Sequence, residues 1–286
     1  MQNLLNDPTQ EVRGSSLFAL PAILSRLPFR KQKELALDMF LPMSMDESAE
    51  VRQRVLEALG EVIYTFNNKG TRTTTVPEEE DEGGGPPEEL VKMFLGKRLV
   101  IPGHKALNTD PSWPLICAFN FPAVALVLGC SRWRAELRET YLSLAANPAS
   151  AVRRSLAASV GEMAKIIGPQ SSGEDLVPFW LKTIASDDED VRLKALECLE
   201  VFFSALISAS RAEALEGLLR SCEGGVLKGW RERELVAQSL KGIVQLAEDS
   251  EQILGWVRRI VRFVLQDNVS AVREAGVNAV CLFQAS

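Results

Sequence analysis

A valine followed by an arginine recurs along this chain at a nearly constant spacing. The pairs begin at Val12, Val51, Val152, Val191 and Val272. Val12 lies 39 residues before Val51, Val152 lies 39 before Val191, and Val272 follows 81 residues later, close to two such intervals. A period near 40 residues is typical of a solenoid of stacked helix pairs. The pattern favours a protein that binds partners on an extended surface.

Apolar residues recur at helical spacing from each valine. In the second repeat they are Val51, Val55, Leu59 and Val62, and the repeats at Val152 and Val191 follow the same offsets. Such offsets fall on one face of an α-helix. Because another amphipathic stretch precedes each pair, the repeating unit is predicted to be helix A, a polar turn and helix B.

The polar turn before each helix B carries a short side chain with an oxygen or amide five residues before the valine. Side chains of this kind favour helix N-caps because they accept an unpaired backbone N–H. We therefore expect these residues to cap the helices: Asp7, Asp46, Asn147, Ser186 and Asp267.

Two weaker repeats fill the remaining intervals. One begins at Trp113, 39 residues before Val152, and the other at Glu232-Arg233, 41 residues after Val191. Pro122 lies inside the first of these and is predicted to kink or break its helix. The sequence thus predicts an all-α fold, an α-solenoid of about seven helix pairs.

A 23-residue excess between Val51 and Trp113 locates an insertion at 67–89, which carries two basic and seven acidic residues. This composition cannot bury a core and predicts disorder. The predicted organisation is repeats 1–2 over 1–66 with a truncated first helix, the acidic insertion over 67–89, and repeats 3–7 over 90–286 with a truncated C-terminal end. The insertion is either a solvated loop or a regulatory element, since Thr75 precedes Glu78 at a spacing that acidophilic kinases use.

The charge balance argues against nucleic-acid binding. The net charge of the chain is −6 and the insertion supplies −5 of it, so the repeats are almost neutral and offer no basic excess to a phosphate backbone. No run of 18 apolar residues occurs, and the N-terminus has no apolar signal core. We expect a cytoplasmic or nuclear protein that does not bind membranes.

No catalytic or metal-binding pattern is found in the sequence. His104 is the only histidine, and the five cysteines form no Cys-x-x-Cys pair, so they are interpreted as small core residues of a reducing compartment. The chain also has no Gly-x-Ser-x-Gly elbow and no phosphate-binding loop. We expect no enzyme activity and no cofactor.

The polar turn followed by Val-Arg resembles HEAT repeats. In that family, aspartates and arginines of successive repeats pair in a ladder along the stack. Trp113-Pro114 and Glu232-Arg233 depart from the pattern, so the ladder is predicted to be interrupted there. The resemblance assigns ladder roles to Asp7, Arg13, Asp46, Arg52, Arg153, Arg192, Asp267 and Arg273.

The stretch 117–206 carries a more specific pattern. It contains Asn120-Phe121-Pro122-Ala123-Val124, then Leu128-Gly129, Trp133, and the run Arg153-Arg154-Ser155-Leu156-Ala157. These segments resemble the HEAT region of the protein phosphatase 4 regulatory subunit 1 family, a relative of the phosphatase 2A scaffold.

This resemblance implies a non-catalytic subunit that binds a serine/threonine phosphatase catalytic subunit of the phosphatase 4 type, and a substrate or further regulatory subunit. In the related scaffold family the catalytic subunit contacts the turns between helices A and B. The corresponding turns here are 147–154, 186–192 and 228–233. The candidate contact residues on them are Arg153, Arg154, Asp187, Asp188, Trp230 and Arg231.

Two other interpretations remain open. The first is an importin-like adaptor that binds a cargo and a small GTPase. The second is an architectural solenoid inside a larger complex. Both would share the predicted fold and differ only in their partners.

Overall fold

The chain is helical throughout the part that its structure describes. The computed structural model describes residues 2–67, 85–101, 106–246 and 251–281. Over these ranges helices and turns are the only regular structure, without a strand. The predicted all-α fold of stacked helix pairs is confirmed.

The chain divides into two compact units, Met1–Tyr141 and Leu142–Ser286. The predicted organisation into repeats over 1–66, an insertion over 67–89 and repeats over 90–286 stays a prediction beside this division. Each repeat of a solenoid contacts only its neighbours, and a long array therefore separates into locally packed groups.

Most of the predicted acidic insertion, 68–84, lies outside the described residues. Its last residues are described: Pro86 and Pro87 are buried, and Glu88 and Glu89 form the first turn of a helix. The helix therefore begins inside the predicted insertion, at Glu88. Two acidic residues in its first turn interact favourably with the helix N-terminus.

In the first unit one helix is central. It carries Val51, Val55 and Leu59, all buried, and has other helices on both sides of it. Val12, by contrast, is 36% exposed, so the stripe predicted to start there is wrong. Only one short helix precedes Val12 among the described residues, and nothing described covers it. The helices are α1 (Gln2–Leu5), α2 (Gln10–Ser16), α3 (Leu20–Leu24), α4 (Phe29–Ser44), α5 (Ala49–Tyr64, the central helix), α6 (Glu88–Phe94) and α7 (Trp113–Leu128), with 3-10 turns at Leu107–Thr109 and Cys130–Arg132 and a π turn at Trp133–Leu137.

Helix α7 is continuous through Pro122, so of the predicted kink or break the break does not occur. Phe121, Val124 and Ala125 beside the proline are fully buried, and their packing holds the helix across the missing hydrogen bond. The helix ends at Gly129, whose φ of 76° is a left-handed conformation that glycine adopts without strain.

The second unit shows the repeat in its regular form. Helix α8 (Arg138–Ala145) crosses the unit boundary. The helices that follow are α9 (Ser150–Ile167), α10 (Pro169–Ser171), α11 (Val177–Ser186), α12 (Glu189–Glu197), α13 (Leu199–Ser204), α14 (Ser208–Glu223), α15 (Trp230–Gln245), α16 (Glu251–Leu265) and α17 (Ser270–Cys281), with a π turn at Ser172–Leu176. Helices α11, α14 and α16 pack in sequence as one row, and α9, α12–α13, α15 and α17 as the other.

The core between these rows uses the predicted apolar stripes. Val152, Leu156 and Val160 of α9 are buried, as are the corresponding residues of α12 and α13. Trp180 is fully buried, and its indole donates to the carbonyl oxygen of Ala195 at 3.1 Å. Each large side chain buried in this way contributes about 1.5–3 kcal/mol to folding.

Among the described residues, no single helix is both long and apolar enough to span a membrane. One bent pair, Trp113–Leu128 with Cys130–Ala145, passes that test together on length and composition.

Candidate partner-binding surface on the inter-helix turns

Each polar turn is closed by a side-chain oxygen that accepts a nearby backbone N–H. Asp46 accepts the N–H of Ser48 at 2.8 Å, and Asp267 accepts that of Val269 at 2.8 Å. The helices start beyond these residues, and the N-cap residues of α2, α5, α9 and α12 make no side-chain cap hydrogen bond. The predicted N-cap role is therefore wrong, since the acceptor lies two residues earlier and holds the turn. Asp7 and Asn147 do the same.

In the turn before α12 the acceptor is Asp187 and not the predicted Ser186. Asp187 accepts the N–H of Asp188 at 2.8 Å, whereas the Ser186 hydroxyl donates to the carbonyl of Lys182. The carboxylate of Asp187 also accepts hydrogen bonds from Arg153 of the preceding repeat and neutralises its charge, which a serine hydroxyl could not do.

The arginine six residues after the start of each turn ties that turn to its own helix. Arg52 Nη1 donates to the carbonyl oxygens of Asp46 and Glu47 at 2.6 and 2.9 Å. Arg153 Nη1 donates to those of Asn147 and Pro148, both at 2.8 Å. Arg13, Arg192, Arg233 and Arg273 make equivalent contacts. The turn carbonyls are thereby satisfied by a fixed cation.

The other edge of the guanidinium binds the carboxylate of the next turn. Arg13 Nε and Nη2 donate to Asp46 at 2.8 and 2.9 Å. Arg153 Nε and Nη2 donate to Asp187 at 2.8 and 2.6 Å. Paired parallel N–H groups on a carboxylate give both strength and a defined orientation. One arginine therefore fixes the distance between two successive turns.

The ladder continues through Glu232-Arg233, where an interruption was predicted. Arg192 donates to Glu232, and Arg233 donates to Asp267. The carboxylate of Glu232 is fully buried and also accepts the N–H of Gly229 at 2.8 Å. The prediction is wrong because the longer Glu side chain, placed in the first turn of α15, reaches the place that an aspartate occupies elsewhere.

Three ladder carboxylates have pKa values below their usual range. For Asp46 the main cause is the hydrogen bond from Arg13, which outweighs burial. Burial acts to raise the pKa values of Asp187 and Asp267. The hydrogen bonds that Asp187 accepts from Arg153, and Asp267 from Arg233, together with those from backbone N–H groups, outweigh burial and lower both pKa values. These carboxylates are ionised structural groups.

Three residues assigned to the ladder by resemblance have no charged ladder partner among the described residues. Asp7 closes the first turn, and Arg52 and Arg273 contact only the carbonyls of their own turns. For Arg273 no following turn is described.

The six candidate contact residues separate into two groups. The side chains of Arg153 and Asp187 are 18% and 10% exposed and are bonded to each other. Arg154, Trp230 and Arg231 are exposed, and the Asp188 side chain is 67% exposed. The first pair sets the geometry of the turns, and the other four form the accessible surface.

Two of the candidate turns adjoin each other. A Cβ on Gly229 would lie 2.6 Å from Glu189 Oε1, so the start of α15 lies directly against the start of α12. Trp230 remains 39% exposed, and the Arg231 guanidinium lies 4.8 Å from its ring centroid, a cation–π arrangement. The surface therefore presents an aromatic ring and a cation beside the acidic turn of α12.

Sequence reasoning missed the ladder roles of Asp187, Glu232 and Arg233. One signal was available, because a glutamate three residues after the residue that precedes a helix can accept that residue's backbone N–H, as Glu232 accepts the N–H of Gly229 at 2.8 Å. Asp110 was also missed. It accepts the N–H of Ser112 at 2.8 Å, as the other turn aspartates accept theirs.

The described residues offer no group of three potential metal ligands. His104 lies outside the described residues. Cys117 and Cys222 are buried, which raises the pKa of both thiols, that of Cys222 to about 12. Cys130 is exposed, so its interpretation as a core residue is wrong.

The helix rows and their ladder define a HEAT-type helical-repeat protein. Residues 117–221 match the family model described as "Protein phosphatase 4 regulatory subunit 1 middle domain". The predicted resemblance to that family is confirmed over this part of the chain.

Related proteins and a solved structure agree with this result. The chain is 34% identical over 169 residues to human serine/threonine-protein phosphatase 4 regulatory subunit 1, a match that covers 59% of this chain and 18% of that protein. It is 22% identical over 180 residues to mouse regulatory subunit 4, covering 58% of this chain and 20% of that protein. A solved structure that describes Kap95p binding to RanGDP covers 97% of this chain and 35% of its own, with a TM-score of 0.60 at 10% identity, which shows the fold alone. The chain thus spans about a fifth of the length of the curated relatives it matches.

Proposed function

We propose that this chain is part of a non-catalytic regulatory subunit that binds the catalytic subunit of a serine/threonine protein phosphatase of the phosphatase 4 type. The observation that carries the proposal is the family match over residues 117–221. That range includes two of the three candidate turns, 147–154 and 186–192.

The ladder explains how such a surface would be held in place. Arg153 bridges the first turn to the second, and Arg192 bridges the second to helix α15. Four accessible side chains therefore stand on a framework whose spacing is fixed by charged hydrogen bonds. Tryptophan and arginine are the residue types that most often dominate binding energy at interfaces.

In this proposal the repeats act as a scaffold. One stretch of turns holds the phosphatase, and another part of the array holds a substrate or a further subunit, so that recruitment sets which substrates are dephosphorylated. We further propose that this takes place in the cytoplasm or the nucleus. The chemistry itself would belong to the catalytic subunit, and we expect the purified chain to hydrolyse no phosphoester.

The test measures binding of purified phosphatase 4 catalytic subunit to the immobilised 286-residue chain by interferometry. Arg154→Glu and Trp230→Ala should each weaken binding by about tenfold or more, as expected for interface anchors. Arg262→Glu is the matched control, because Arg262 is exposed on α16 and lies outside the three candidate turns.

Wild-type binding with loss in the two turn variants and none in Arg262→Glu would support the proposal. A well-folded chain that does not retain the phosphatase, or a control that loses binding equally, would overturn it.

A further inference from the structure

One ladder arginine holds no carboxylate although the next turn is described. Arg52 Nη1 binds the carbonyls of Asp46 and Glu47, as in the other repeats. Within the described part of the chain, its Nε and Nη2 groups donate to no acceptor. In Arg13, Arg153 and Arg233 the same two groups hold a carboxylate with two hydrogen bonds.

The turn that should supply the carboxylate is that of Asp110, which precedes α7 as Asp46 precedes α5. Asp110 Oδ1 accepts both the N–H and the hydroxyl of Ser112, at 2.8 and 2.6 Å. It makes no ion pair with Arg52. The 3-10 turn Leu107–Thr109 leads into Asp110, and no other described repeat has such a turn at this place.

A cleft lies between the two groups. Its volume is about 280 Å³, and its lining includes Arg52, Asp110, Ser44, Leu56, Leu107 and Pro111. The cleft thus combines a cationic fork, a carboxylate and apolar walls. We call it the Arg52 cleft.

We propose that the Arg52 cleft binds a carboxylate carried by a peptide segment of a partner protein. The guanidinium is already fixed by its Nη1 contacts, so little side-chain freedom is lost when its open edge takes a ligand. The same edge takes a carboxylate in four other repeats among the described residues, at Arg13, Arg153, Arg192 and Arg233. The site lies in the first unit, and its occupation does not depend on the proposed phosphatase contact.

Asp110 restricts the class of ligand. Its negative charge disfavours a doubly charged phosphate in the same cleft. Leu56, Leu107 and Pro111 suit a neighbouring aliphatic side chain. These features fit a short acidic peptide with an adjacent apolar residue.

The test uses three fluorescently labelled peptides and anisotropy with the whole chain. The first, acetyl-Ala-Leu-Glu-Leu-Ala-amide, presents a side-chain carboxylate. The second, acetyl-Ala-Leu-Leu, presents a free C-terminus. The third, acetyl-Ala-Leu-Gln-Leu-Ala-amide, is neutral. We expect saturable binding of at least one acidic peptide, at least about tenfold tighter than the neutral one.

Three variants locate the site. Arg52→Gln should weaken the acidic peptide by about tenfold. Arg273→Gln is the matched control, because Arg273 makes the same contact with its own turn, to Asp267 at 2.6 Å, and should leave binding unchanged. Asp110→Asn removes the nearby negative charge and should strengthen binding, which gives a readout even if Arg52→Gln fails to fold.

No saturable binding of either acidic peptide would overturn the proposal. Equal loss in Arg273→Gln, or weaker binding in Asp110→Asn, would also overturn it. Preference for the first or the second peptide tells whether the carboxylate comes from a side chain or a C-terminus.

Discussion

Arg192 binds Glu232, a carboxylate from the first turn of helix α15 and not from the loop before it. Glu232 is fully buried and also accepts the N–H of Gly229. One side chain therefore joins two repeats and closes the start of its own helix.

Replacing Glu232 by glutamine should lower the free energy of unfolding by about 2 kcal/mol, because a buried charged hydrogen bond is lost while the shape is kept. Urea denaturation followed by circular dichroism measures the change. Glu216→Gln on α14 is the control, since Glu216 is exposed. Equal effects of the two substitutions would contradict the structural role of Glu232.

Stability should fall in acid because of the arginine-paired aspartates. Asp46, Asp187 and Asp267 have pKa values below normal in the folded chain. Their contribution to the free energy of unfolding is complete above the unfolded pKa of about 3.9. It is lost as the pH falls through the lower pKa values that these aspartates have in the folded chain. Denaturation midpoints between pH 6 and pH 2.5 should show this decline.

The variant Asp187→Asn should flatten that dependence and should also lower stability at pH 6. Asp190→Asn, at an exposed position of α12 near the same turn, should keep the wild-type slope. If both variants keep it, the pairing of Asp187 with Arg153 does not account for the acid sensitivity.

Arg153 and Arg154 should respond differently to charge reversal. Arg153→Glu would place a glutamate carboxylate against that of Asp187. It should lower the free energy of unfolding by about 2 kcal/mol, after allowance for the partial exposure of the pair. Arg154→Glu should change stability by less than about 0.5 kcal/mol. Thermal melts of both variants test this contrast. Binding studies therefore need Arg154→Glu, since Arg153→Glu would disturb the turns themselves.

Two helical glycines should give opposite results on substitution by alanine. A Cβ on Gly161 would meet Val201 Cγ1 at 2.9 Å and the backbone nitrogen of Phe202 at 3.3 Å, whereas one on Gly255 meets nothing within 4 Å. Gly161→Ala should destabilise by about 1–2 kcal/mol through overpacking of α9 on α13. Gly255→Ala should stabilise by about 0.5–1 kcal/mol through helix propensity. The same sign for both variants would refute the close approach.

Cys130 should react first with a thiol reagent. It is exposed, while Cys117 and Cys222 are buried with raised pKa values and hold little thiolate. Peptide mapping by mass spectrometry after brief labelling identifies the modified residue. Cys130→Ser should remove the fast phase among these three, and its persistence on Cys117 or Cys222 would show that the core opens readily.

The candidate surface could be predicted from the sequence only in part. The turns were located, because polar residues interrupt the helical stripes at Asp46 and Asn147. The different roles of the residues within each turn could not be predicted, since Arg153 and Arg154 are adjacent and carry the same charge. Only the contact with Asp187 in the next turn makes Arg153 a structural residue, whereas Arg154 remains exposed at the surface.

The sequence by itself determined the repeat. The offsets from Val51, Val152 and Val191 report which helix faces are apolar, and burial of those faces is a local consequence of helical geometry. Only the tertiary structure decided the ladder. Its partners lie 33 residues apart at Arg13–Asp46 and 40 at Arg192–Glu232, so pairing depends on how far one turn lies from the next. The distance between successive turns also decides that Asp110 forms no ion pair with Arg52. A 3-10 turn leads into Asp110, and this local change leaves the pattern of polar and apolar residues as it is in the other repeats.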